Sequence, residues 1–224
     1  MNPAGVGSAL RPILARKERE AAELRCAAAT LWAAAAVAPP TRGFIASLQP
    51  GSVIAEMKRR SPSGGTLRVE LDCADTARGY AAAGAAALSV LTDGPDFGGS
   101  LADLVAARES ATIPVLRKDF VVDAVQVAEA RVAGADAVLL IVAVLDRAGV
   151  ETCLAAADRC AIDAVVEVHT AAETAIAVSA RARCIGINNR DLATLHSDTD
   201  TFSRLRSLIP SGVVCIAESG MRDA

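Results

Sequence analysis

From Val53 to Glu218 the chain repeats one pattern: a short apolar run, a turn, then apolar positions at helical spacing. The runs are Val53–Lys58, Ala87–Thr92, Pro114–Phe120, Ala137–Val144, Ala164–His169, Cys184–Asn189 and Val213–Glu218. Helical patterns fall between them at Cys73–Ala83, Leu101–Glu109, Val125–Ala133, Ala148–Asp158, Ala171–Ala180 and Thr199–Leu208. Such alternation predicts an α/β protein whose parallel strands are joined by right-handed crossovers and covered by helices. Two architectures satisfy it, a (β/α)₈ barrel and an open doubly wound sheet. No G-x-G-x-x-G follows the first run, which weakens the dinucleotide-binding form of the open sheet.

The polar residues argue for the barrel. Strand side chains alternate between faces. One face of five runs carries Ile54, Glu56 and Lys58; Leu116, Lys118 and Phe120; Val165 and Glu167; Gly186, Asn188 and Arg190; and Val214, Ile216 and Glu218. Every polar member lies at the C-terminal end. In an open sheet these groups would be separate charges under a layer of helices, each costly without a partner. In a barrel they converge on one mouth, where opposite charges pair and water reaches them.

A mouth holding lysines among carboxylates suits proton transfer to carbonyls and hydroxyls, each transfer contributing roughly 10²–10⁴ in rate. Schiff-base chemistry at Lys118 or Lys58 is the other use of such a lysine. Three glycine-bearing stretches are candidate phosphate cradles: residues 61–65 (Ser-Pro-Ser-Gly-Gly), Gly98-Gly99-Ser100 and Ser219-Gly220. The last has the strongest placement, after the seventh strand.

Composition excludes several classes. A net charge of −3 and scattered basic residues give no footprint for nucleic acid. No apolar run approaches the ~20 residues of a membrane span. With no leader pattern at the N-terminus, a cytoplasmic location is expected. The six cysteines form no C-x-x-C pair and read as reduced, small apolar fillers, so no metal site is expected. Before the repeats, residues 1–8 read as disordered. Leu10, Ile13, Leu14, Ala21, Leu24, Ala28 and Leu31 then predict one amphipathic helix, with Arg16–Glu20 as its solvated face. Pro39-Pro40 ends it, and Phe44–Leu48 forms a short turn of helix.

The segments IAEMKRRSPSGG, LSVLTD, FGGS, LRKDFVV, EARVAGADAVLLIVA, VEVH, IGINNRDL and IAESGM occur in this order on successive strands. Together they resemble indole-3-glycerol phosphate synthase, the indole-forming enzyme of tryptophan biosynthesis, from about Leu10 to Met221. The resemblance implies a TIM barrel of the ribulose-phosphate-binding type, residues 51–224, preceded by a helical extension, residues 1–50. It implies a carbon–carbon lyase, a carboxy-lyase, that converts 1-(2-carboxyphenylamino)-1-deoxyribulose 5-phosphate to indole-3-glycerol phosphate, CO₂ and water without a cofactor. Lys118 matches the family's general acid for ring closure, Glu167 its base, and Lys58 a lysine of acid chemistry or substrate anchoring. Glu56, Asn188 and Glu218 match residues that orient these groups and the substrate. Arg190, Phe120 and Ser61 match substrate contacts, and Ser219 and Gly220 part of the phosphate cradle. The expected partner is a small phosphorylated substrate, not nucleic acid or membrane. The expected assembly is a monomer or weak homo-oligomer, with other tryptophan-pathway enzymes as further partners.

Three departures from the family pattern stand out. Gly64 replaces a common Lys or Arg. Asp123-Ala124-Val125 replaces Asp-Pro-Tyr, which predicts a looser start to that helix. Only seven strands are counted where closure needs eight, the last βα unit being absent before Ala224. The expectations there are a truncated fragment, a degenerate product or a chain completed by a partner. Beside the synthase stand an inactive barrel fragment serving as an interaction module and another phosphate-binding barrel, such as phosphoribosylanthranilate isomerase.

Overall fold

The computed structural model describes residues 7, 10–62, 64–68, 70–191 and 196–220. The expected disorder of residues 1–8 therefore concerns, Gly7 apart, residues outside those described; Ser63, Leu192 and Met221 of the quoted segments lie outside them too.

The seven runs form one parallel sheet in chain order: β1 (Ile54–Met57), β2 (Ala87–Leu91), β3 (Val115–Lys118), β4 (Ala137–Ile141), β5 (Asp163–Val168), β6 (Cys184–Asn188) and β7 (Val214–Glu218). Among the described residues β1 is bonded to β2 alone and β7 to β6 alone. Helices α1 (Arg11–Cys26) and α2 (Ala28–Val37) precede the sheet. After β1 to β6 come α3 (Cys73–Ala82), α4 (Leu101–Ser110), α5 (Val125–Val132), α6 (Val142–Arg159), α7 (Ala171–Ser179) and α8 (Asp200–Arg206). No helix among the described residues is long and apolar enough to cross a membrane.

Alternation sorts the core into two layers. Leu116, Leu139, Ile141, Val165 and Cys184 form an inner cluster, joined by Ile54, Val214 and Ile216. Leu88, Val90, Val115, Val138, Leu140, Val166, Ile185 and Ile187 point the other way and pack under the helices. Fully buried parallel strands explain why the runs are apolar on both faces.

The sheet is curled. Lys118 of β3 places its Nζ 3.0 Å from Glu56 of β1 and 3.0 Å from Glu218 of β7. At about 4.8 Å per strand, a flat sheet would hold β1 and β7 roughly 29 Å apart. One ammonium reaches both, so the sheet curls round as the strands of a β/α-barrel do, while β1 and β7 are not hydrogen-bonded to each other. The rim at the strands' N-terminal ends serves stability. There buried Asp136 accepts hydrogen bonds from the backbone N–H groups of Arg42 and Val115 and from Arg108. Asp163 accepts from the N–H of Ile45. Both carboxylates clasp the segment that links the N-terminal helices to the barrel.

Five expectations need correction. The N-terminal helix is two helices, broken at Ala27 (φ −104°, ψ 11°). The charged run is only partly solvated: Glu18 and Arg19 are exposed, but Lys17 is buried at 3% and ion-paired to Asp119 at 2.7 Å. The fourth strand stops at Ile141, because residues 142–145 coil into a helical turn. That turn breaks at Asp146 (φ 53°, ψ −179°), whose carboxylate accepts the Gly149 N–H and opens the remainder of α6. Cys26 is exposed, whereas Cys73, Cys153, Cys160 and Cys184 are buried fillers. The start of α5, expected to be loose, is hydrogen-bonded. Asp123 accepts the Val125 N–H at 2.9 Å, and the Gln126 side chain accepts those of Val122 and Asp123.

Candidate active site

A cavity of about 480 Å³ opens at the C-terminal rim. Its lining includes each residue singled out from the sequence: Glu56, Lys58, Ser61, Lys118, Phe120, Glu167, Asn188, Arg190, Glu218, Ser219 and Gly220. Leu116, Leu139, Ile141 and Val165 make an apolar floor.

Strand ends set the positions of the ionic groups. Glu56 sits one residue inside the end of β1, bonded through Oε1 to Lys58 and through Oε2 to Lys118. Lys118 is the last residue of β3, and its Nζ also donates to Glu218, the last residue of β7. Glu167 on β5 is 2% exposed and accepts from Asn188 Nδ2 at 3.2 Å. Glu218 has room because Gly186 beside it has no side chain. A Cβ there would overlap Glu218 Oε1 and lie 3.2 Å from Val165.

The charges perturb one another unequally. Burial works to raise Glu56, but Lys118 and Lys58 hold it down at about 2. Burial works against the Lys118 charge, yet Glu218, Glu56 and Glu167 outweigh it and raise its pKa above the ordinary lysine value. Glu167 is kept below its usual value despite burial, by His169, Lys118 and Asn188. Glu218 goes the other way: burial, reinforced by Glu167 and Glu56 and only partly offset by Lys118, pushes it up. Of the three carboxylates around Lys118, Glu218 is the one that takes a proton most readily.

Beyond the ionic cluster, Ser219 (φ 62°) and Gly220 (φ 74°) are consecutive left-handed residues that turn the chain sharply after β7. Asn189 braces that turn, donating to the Ser219 carbonyl at 3.1 Å and accepting the Phe202 N–H at 3.1 Å. Arg190 faces the same side, its N–H bonded to Asn188 Oδ1. Opposite, Phe120 pairs with Phe97 at a centroid distance of 6.0 Å. Ser61 and Pro62 come from a small ribbon, Arg60–Ser61 against Gly65–Thr66, absent from the strand pattern. The Gly98-Gly99-Ser100 stretch is no cradle. Gly99 packs on the Leu91 carbonyl, and Ser100 caps α4 through the Asp103 N–H.

Phe97 and Ser89 also line the cavity, and Asn189 and His169 brace its rim, though none is among the residues singled out from the sequence. For two of them the signal was present. Inward alternation runs on from Val165 and Glu167 to His169, and on β2 from Ala87 to Ser89 to Leu91.

Fold and mouth together define a β/α-barrel protein with a lysine–carboxylate site, the equipment of acid–base chemistry, at its C-terminal rim. Residues 10–224 match the family model described as indole-3-glycerol phosphate synthase. A protein of that name from Mycobacterium ulcerans is 52% identical over 192 residues, which are 85% of this chain and 71% of the relative. One from Mycobacterium avium is 48% identical over 209 residues, 92% of this chain and 77% of the relative. Indole-3-glycerol phosphate synthase 2 of Streptomyces coelicolor is 49% identical over 198 residues, 88% and 77% of the two chains. The chain belongs to the indole-3-glycerol phosphate synthase family.

Proposed function

We propose that this chain carries out the reaction for which its family is named. It closes the pyrrole ring of 1-(2-carboxyphenylamino)-1-deoxyribulose 5-phosphate with loss of CO₂ and water, acting as a carboxy-lyase. The observation that carries the reading is Lys118 held between Glu56 and Glu218 above an apolar floor, with Glu167 in the same cavity.

The site supports each step. The ring carbon bearing the carboxylate attacks the ketone carbon, and Lys118 gives its proton to the ketone oxygen. Phe120 and Phe97 offer an aromatic wall for the anthranilate ring. CO₂ departs and its bonding pair restores the ring. Lys58 protonates the new hydroxyl, which leaves as water, while Glu167 takes the proton from the adjacent sugar carbon. Two protons are given and one is taken. The net uptake of one matches a substrate carboxylate lost as neutral CO₂. Glu218, the most readily protonated carboxylate and 3.0 Å from Lys118, is placed to return a proton to it. Ser219, Gly220 and Arg190 receive the phosphate, and Ser61 contacts the substrate near Lys58.

The assay is indole fluorescence. Lys118→Ala is expected to lower kcat by roughly 10²–10⁴. A Lys118→Ala protein that kept most of its turnover would remove Lys118 from the role of acid.

A further inference from the structure

His169 follows β5 directly and is buried, with its side chain 7% exposed. Its ring bridges two carboxylates. Nε2 lies 3.3 Å from Glu167 Oε1 and Nδ1 3.2 Å from Glu173 Oε2. The Nε2 contact is not an aligned hydrogen bond, since that atom is buried without a hydrogen-bond partner. It acts through charge. Glu173 is fixed by the start of α7. Thr170 caps that helix by accepting the Glu173 N–H, and the Glu173 carboxylate reaches back to accept the His169 backbone N–H at 2.7 Å. The clamp on the ring is therefore built into a helix N-terminus and does not depend on a free rotamer.

We propose that His169 is a positioning residue for the reaction: clamped as a cation by Glu173, it keeps the Glu167 carboxylate in its proton-accepting form and turned toward the mouth. The proposal rests on the reading of Glu167 as the base. The charged groups that face Glu167 are His169 just beyond its own strand, Lys118 from β3 and Glu218 from β7, with the Asn188 amide from β6. Those facing His169 are Glu167 and Glu173. Lys118 is shared among three carboxylates, whereas His169 meets Glu167 alone within the mouth. The histidine is thus the counter-ion that stays with Glu167 while Lys118 moves protons. The charge fits this geometry: burial opposes it, but Glu167 and Glu173 raise the pKa of His169 to about 10.

The chain has two histidines, so imidazole nitrogen NMR reads His169 directly, with His169→Gln assigning the signal. In the unaltered protein its ring is expected to stay doubly protonated well past pH 8. In Glu173→Gln, where the amide oxygen can still accept the backbone N–H, the midpoint should fall by about one pH unit or more. In His169→Gln the acid limb of the kcat/KM profile should move up by about one pH unit, because Glu167 has lost a cation that favours its ionised form. A loss from packing alone would lower the plateau and leave the limb in place. His169 titrating near its ordinary 6.5, or an active His169→Gln protein with an unmoved limb, would overturn the proposal. If His169→Gln fails to fold, the Glu173→Gln titration decides. If the unaltered chain turns over no substrate, the assigned reaction fails, and the NMR titration still decides the state of His169.

Discussion

A single missing methyl group shapes the lysine–carboxylate cluster. Gly186 lies on the inner face of β6, in register with Ile216 of β7 and Glu167 of β5. Its backbone is not left-handed, so conformation does not require glycine there. Space does: the Glu218 carboxylate occupies the volume that a Cβ would fill. Because the obstructing atom is the tip of a flexible side chain, Gly186→Ala should leave the fold intact and displace Glu218 from Lys118. We expect a thermal midpoint within a few degrees of the unaltered protein and a kcat reduced roughly 10²-fold, as for a catalytic group moved by about 1 Å. A large loss of thermal stability with full activity per folded molecule would contradict this. The period-two pattern read from the sequence brings Gly186 to the inner face but cannot say why it is glycine, since the reason sits on the neighbouring strand. The inward lysines and carboxylates were legible for the opposite reason. A charge at the end of an apolar strand is conspicuous without any knowledge of its partner.

At the level of elements, strand and helix existence followed from periodicity, and most boundaries fell within two residues. The failures came where tertiary contacts override local pattern. Lys17 sits in a charged stretch of α1 that looks like a solvated face, yet it turns inward onto Asp119 and Asp93. Asp119 is also held by Arg117 and Thr92, and its own carboxylate accepts the Phe120 N–H. Thus α1 is fastened to the residue immediately after Lys118, and the N-terminal helix and the end of β3 share one buried ion cluster. Removing Lys17 leaves buried Asp119 and Asp93 with Arg117 and Arg16 as their remaining cations, fewer than the carboxylates they face. Lys17→Met should cost on the order of 3–5 kcal/mol and lower Tm by about 10 °C. Glu18→Ala and Arg19→Ala, exposed in the same run, should change stability by no more than about 0.5 kcal/mol. Calorimetry on the three variants checks the contrast, and equal effects would mean that the cluster does not fasten the helix.

For the molecule as a whole, curling the sheet brings charges from both of its ends together, so its stability depends on pH through the same groups to which we assign the chemistry. The carboxylates held low, Glu56 at about 2 together with Asp119, Asp103 and Glu167, are ionised in the fold at pH values where an unfolded chain binds protons. Their contribution is complete above the ordinary carboxylate range and is lost as pH falls toward 2. His169 has the opposite sign. Its contribution is full below about 6.5 and is lost as pH rises toward about 10, because the unfolded chain releases a proton that the fold retains. Glu218, raised in the fold, adds to the decline above the ordinary carboxylate pKa. Urea denaturation across pH 3 to 10 should therefore show stability rising to a maximum at roughly pH 5–6 and then falling steadily toward pH 10. His169→Gln should flatten the fall between about pH 6.5 and about pH 8, below the range where the raised thiols of Cys73, Cys153 and Cys184 add to it, while leaving the acid rise, which belongs mainly to Glu56, Asp119 and Asp103, in place. A stability that climbs from pH 6 to 9 would mean that the net effect of the groups at the mouth has the other sign, and that the clustered carboxylates rather than the clamped histidine govern the folded state.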